Sequence, residues 1–96
     1  MSEAIIRKRL IFSGSVQGVG FRWRSRKAAE AFGATGWVRN EPDGRVCMEL
    51  QGTRAQLELV LAALERGLYI RIEDVETELL PVEPEERGFV TLNDRW

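Results

Sequence analysis

The chain contains no histidine and a single cysteine, Cys47. Without imidazole there are no Ser-His or Cys-His nucleophilic pairs, no His-based proton transfer and none of the commonest zinc ligand. Cys47 has no second cysteine within the chain to pair with, which agrees with a reducing compartment. Also missing is any apolar stretch near the roughly 20 residues that a bilayer crossing requires, so no membrane span is expected. Met1 to Ile6 shows no basic stretch followed by a long apolar region and a small-residue cleavage site. Nothing there reads as a secretion signal, and the expected location is the cytoplasm.

With 44% hydrophobic residues in 96, the chain can bury a core without metal or disulfide staples. A single domain over residues 1–96 is expected. Neither an internal repeat nor a low-complexity tract interrupts it. Residues 1–46 carry nine Lys/Arg against four Asp/Glu, and residues 47–96 carry five against eleven, although the net charge is −1. The basic half is the half in which an anion would be held.

Ile6, Lys8, Leu10 and Phe12 alternate with Arg7, Arg9 and Ile11, which predicts a first strand ending near Ser13. A glycine-rich bend, Gly14 to Gly20, follows. Phe21, Ser25, Ala28/Ala29 and Phe32 fit one face of a helix that Gly33 stops. Trp37 and Val38 predict a short second strand, and Glu41-Pro42-Asp43-Gly44 is turn chemistry leading into Val46, Met48 and Leu50, which makes a hairpin. Thr53 with Gln56 resembles a capping box opening a second helix through Leu57, Val60, Leu61 and Leu64, ended by Arg66 and Gly67. Ile72 to Leu80 predicts a longer strand with Glu76 and Glu78 outward, Pro81 to Arg87 a polar connection, and Phe89 to Leu92 a short last strand. This order predicts an α+β fold, the ferredoxin-like split β-α-β sandwich with two helices on one face of a mainly antiparallel sheet.

Three glycines lie within the seven positions from Gly14 to Gly20, between a strand and the start of a helix. Glycines let backbone amides converge on one anion, the helix start adds free N–H groups, and Arg22 adds a planar fork suited to two phosphate oxygens. The stretch is neither a Walker loop nor a Gly-x-Gly-x-x-Gly dinucleotide turn. Taken alone, a glycine-rich strand-to-helix turn is more often just a tight turn. Asn40 closes the second strand, where capping the turn is its plain role.

Together, Ser15-Val16-Gln17-Gly18-Val19-Gly20-Phe21-Arg22 and Gly36-Trp37-Val38-Arg39-Asn40, followed by Asp43-Gly44-x-Val46, strongly resemble the acylphosphatase family, as does the interval from Arg22 to Asn40. The resemblance is close over residues 10–52 and holds in outline to about residue 67. Beyond it the family's usual Gly-Pro and small polar loop is replaced by Gly67-Leu68-Tyr69-Ile70-Arg71-Ile72. The resemblance implies hydrolysis of a small-molecule acyl phosphate to a carboxylate and inorganic phosphate, with phosphate as product and inhibitor and with no cofactor or metal. It assigns phosphate binding to Ser15, Val16, Gln17, Gly18, Val19, Gly20 and Arg22, and orientation of the attacking water to Asn40. The family is thought to let the substrate phosphate accept the water's proton; Glu41 and Asp43 are nearby in sequence but occupy turn positions. Trp23 reads as packing or pocket rim.

Two other classes compete with this reading. A non-catalytic phosphate-binding or anion-binding regulatory domain would keep the cradle without turnover, against which Arg22 and Asn40 are both intact. An RNA-binding split β-α-β domain needs aromatics on the open sheet face and usually a basic surface, whereas Phe21 starts a helix here and the net charge is −1. No nucleic-acid partner is expected.

Overall fold

The computed structural model describes residues 3–93, so the expected domain limits at residues 1 and 96 lie outside the described residues. Seven elements follow in the order β1 (Ile6–Ser15), α1 (Phe21–Phe32), β2 (Thr35–Asn40), β3 (Val46–Gly52), α2 (Arg54–Glu65), β4 (Arg71–Leu80) and β5 (Phe89–Thr91). The sheet order is β4-β1-β3-β2-β5. Every pairing is antiparallel except β2 with β5, which is parallel. This is the expected ferredoxin-like α+β arrangement.

Period-2 alternation in the strands and 3.6-residue spacing in the helices turn one set of side chains inward. Leu10 and Phe12 of β1 lie opposite Met48 and Val46 of β3, and all four are fully buried. Ala28, Ala29, Leu57, Val60 and Leu64 close the core from the helix side. The Phe12 and Phe21 rings meet with centroids 4.9 Å apart, tying β1 to the start of α1.

α2 begins as its sequence predicts. Thr53 Oγ1 accepts from the Gln56 N–H at 3.2 Å, and Gln56 Oε1 accepts from the Thr53 N–H at 2.8 Å. The Gln56 amide also donates to the Phe32 carbonyl at 2.9 Å, while Arg24 Nε donates to the Ala63 carbonyl at 2.6 Å. These two bonds clamp the helices to each other at opposite ends, so the first turn of α1 is held in place.

Two features depart from the expected pattern. β1 runs to Ser15, not Ser13, because Gly14 and Ser15 pair with Ile72 and Arg71 of β4 after a bulge at Ser13/Gly14. The glycine-rich bend therefore shortens to residues 16–20. Leu68 and Tyr69, in the segment that differs from the family pattern, are largely exposed.

The second departure concerns the sheet face opposite the helices. There the connection over residues 81–88 runs from β4 at one edge to β5 at the other and covers Arg7, which is only 3% exposed. Glu86 accepts two hydrogen bonds from Arg7, and Thr35 Oγ1 donates to the same carboxylate at 2.7 Å. Gln51 exchanges two bonds with the Glu83 backbone, and the Gly36 N–H donates to the Gly88 carbonyl at 3.1 Å. This strap, expected only as a polar connection, is what delivers β5 alongside β2.

Candidate active site

Residues 16–20, the first turn of α1 and the last residue of β2 meet at one end of the sheet. They enclose a cleft of about 180 Å³ lined by Val16, Gly18, Gly20, Phe21, Arg22, Trp23 and Asn40. The two sequence motifs thus converge on one space. Val16 is 1% exposed and anchors the turn in the core. Gly18 and Gly20 have φ of 71° and 79°, left-handed values that strain any residue with a Cβ. Gly20 also caps α1 without a side-chain cap bond, and the first turn carries no acidic residue. The positive end of the helix dipole therefore faces the cleft.

Ser15, Gln17 and Val19 are placed differently. Ser15 belongs to β1, where it pairs with Arg71. Val19 packs its side chain against the core. The Gln17 amide donates to the Glu41 carbonyl at 2.7 Å and the Arg45 carbonyl at 2.9 Å, bracing the turn against the β2–β3 hairpin. For Gln17 and Val19 the backbone groups remain as candidates for contact with a ligand, while Ser15 is exposed at the end of its strand.

Arg22 Nη1 donates to the Leu92 carbonyl at 2.7 Å, to the Asn93 carbonyl at 3.0 Å and to Asn93 Oδ1 at 3.1 Å. Asn93 also binds the backbone of Asn40 on both sides: Oδ1 accepts from the Asn40 N–H at 3.2 Å, and Nδ2 donates to the Asn40 carbonyl at 2.7 Å. Sequence reading passed over Asn93. Its one local signal is the tolerance of asparagine for positive φ, and its φ is 49°.

The two acids near Asn40 are occupied within the hairpin turn. Glu41 accepts from Arg39 Nε at 3.0 Å. Asp43 accepts from the Arg45 N–H at 3.0 Å and from Arg45 Nε at 2.8 Å. Those hydrogen bonds, the backbone one foremost, hold the Asp43 carboxyl below the usual carboxylate range. Trp23 is 63% exposed at the cleft mouth, with Lys27 Nζ 5.7 Å from its ring centroid, so it forms rim rather than core.

The sandwich, with its cleft where the β1–α1 turn faces the end of β2, defines the molecule as a small ferredoxin-like α+β protein with one principal candidate site. The family model for acylphosphatase matches residues 8–91. The chain belongs to the acylphosphatase family, and with it to the enzymes that hydrolyse acyl phosphates. It is 45% identical over 84 residues to an acylphosphatase of Rubrobacter xylanophilus, covering 86% of this chain and 76% of that one. Among solved structures, an acylphosphatase from Coxiella burnetii matches with a TM-score of 0.81 and 32% identity over 91% of this chain and 92% of that one. The acylphosphatase from Bacillus subtilis matches with a TM-score of 0.82 and 28% identity over 91% and 98%. These likenesses do not favour the non-catalytic alternative.

Proposed function

We propose that the chain hydrolyses acyl phosphates in the cleft between residues 16–20 and Asn40, with Arg22 and the turn amides holding the phosphoryl group and Asn40 aiming the water. The observation that carries this reading is that Gly18, Gly20, Arg22 and Asn40, drawn from two separate motifs, line one cleft. Backbone N–H groups and the start of α1 suit an anion there.

An acyl phosphate carries a good leaving group, so positioning and electrostatic stabilisation suffice. The oxygen of the water oriented by the Asn40 side chain forms a bond to phosphorus while the phosphorus–acyl oxygen bond breaks. The carboxylate leaves with the bonding electron pair. A phosphate oxygen takes the water's proton, which accords with the engagement of Glu41 and Asp43 inside the turn. Among the described residues no group of three or more His, Cys, Asp or Glu could hold a metal ion.

In this reading residues 1–96 act as one domain in the cytoplasm, inorganic phosphate is product and inhibitor, and neither nucleic acid nor membrane is a partner. No described helix is long and apolar enough to cross a membrane. The test is hydrolysis of acetyl phosphate by the purified chain, with and without a chelator, beside a phosphate monoester. Chelator-insensitive turnover confined to the acyl phosphate is expected. Loss of activity with chelator, or equal rates on both substrates, contradicts the mechanism.

A further inference from the structure

We infer that Asn93 is a positioning residue of this site, fixing the Arg22 guanidinium and the backbone of Asn40 relative to each other. The inference rests on the roles proposed above for those two residues. Beyond Thr91, the parallel pairing of β5 with β2 continues through the Leu92 N–H, which donates to the Val38 carbonyl at 2.8 Å. The chain then turns into the left-handed region at Asn93, the one non-glycine among the described residues with positive φ. That turn presents the carbonyls of Leu92 and Asn93 to Arg22 Nη1 and points the Asn93 side chain at Asn40.

Asparagine meets both demands made at this position. Its carbonyl oxygen accepts from the Asn40 N–H and from Arg22 Nη1, and its NH₂ donates to the Asn40 carbonyl. Aspartate has no donor for that carbonyl, and alanine has neither group. An arginine side chain otherwise loses considerable rotamer freedom when it is fixed. Here Nη1 is already held, so the fork is set before phosphate arrives. Asn40 ends its strand opposite Val46 of β3, and Asn93 grips its peptide groups from the side away from β3. Small misplacements of reacting groups cost large factors in rate.

The experiment compares Asn93→Gly and Asn93→Asp with Arg22→Ala, Asn40→Ala and wild type. Glycine accepts the same φ without strain and deletes the side-chain bonds to Arg22 and Asn40 while keeping the backbone carbonyls. Asn93→Gly is expected to keep a melting temperature near wild type, bind inorganic phosphate about tenfold more weakly, lose at least about tenfold in kcat and expose the Asn40 N–H to faster hydrogen exchange. Asn93→Asp, which keeps the acceptor but adds a charge beside Arg22, is expected to weaken phosphate binding further at low salt. Wild-type kcat, KM and phosphate affinity in Asn93→Gly, while Arg22→Ala and Asn40→Ala are impaired, overturn the inference alone. If Arg22→Ala and Asn40→Ala also match wild type, the underlying site assignment fails instead. Should Asn93→Gly prove too unstable to assay, wild-type turnover and phosphate affinity in Asn93→Asp overturn the inference equally.

Discussion

Glu86 grips the guanidinium of Arg7 with both carboxylate oxygens, at 2.8 and 3.0 Å, across 79 residues of sequence. Glu49 and Gln51 accept further bonds from the same guanidinium at 3.0 and 3.1 Å. Removing one partner of a buried ion pair leaves an uncompensated charge, which typically costs 3–5 kcal/mol. The Glu86 side chain keeps 16% exposure and Glu49 would remain, so Glu86→Ala is expected to cost about 2–4 kcal/mol in urea unfolding. Exposed Glu85→Ala should stay within about 0.5 kcal/mol. Equal stabilities for the two variants would mean that the strap is held by its backbone contacts alone.

Arg22 is the cationic member of the proposed phosphate cradle. Inorganic phosphate should raise the melting temperature of the wild-type chain, since a ligand bound only by the folded state stabilises it by mass action. Arg22→Ala should abolish that rise along with competitive inhibition by phosphate. Arg22→Lys should restore neither fully, because a single ammonium cannot reproduce a planar fork. Wild-type phosphate affinity in Arg22→Ala would remove Arg22 from the cradle.

Asn40 separates a turn cap from a water-orienting group. Truncating its side chain spares the backbone bonds to Asn93, so the fold should persist. Asn40→Ala is expected to bind phosphate nearly as well as wild type and to lose on the order of 10²–10³ in kcat, or about 3–4 kcal/mol of transition-state stabilisation. A role limited to capping would instead lower stability by about 1 kcal/mol and leave kcat near wild type. Steady-state kinetics with a phosphate titration distinguishes the two.

Cys47 is 4% exposed, and burial pushes its thiol above the ordinary cysteine range. Alkylation near neutral pH should therefore be much slower in the folded chain than in urea. The linkage also has a sign. With the folded thiol raised, the unfolded chain releases its proton first as pH climbs past about 8.5, so stability present below that value declines through the alkaline range. Cys47→Ala should show a smaller alkaline decline in urea unfolding. Equally fast alkylation in folded and unfolded protein would contradict the burial.

Short-range chemistry made much of the fold legible in the sequence. Thr53 and Gln56 are three residues apart and bond each other in the folded chain as their spacing predicts. Gly33 stops α1 and Glu41 to Gly44 turn the hairpin because these preferences are set by the backbone within a few residues. Alternation likewise gave the inward faces of β1 and β3. It gave no sign that Arg7, on the outward face of β1, would be buried, since alternation tells which residues share a face and not what will cover it. The same limit hid Asn93 and ended β1 two residues early. Asn93 bonds Arg22 and Asn40 across 71 and 53 residues, and Ser15 pairs with Arg71 across the sheet. The Asn93 contacts exist only after the strap has crossed from one sheet edge to the other and set β5 beside β2, whereas the Ser15 pairing needs β4 beside β1. Local composition and spacing thus determined the elements, and the two motifs that resemble the acylphosphatase family pointed to the residues of the candidate site. The tertiary structure decided which of those residues share a cleft and what holds them there, because those contacts depend on chain topology.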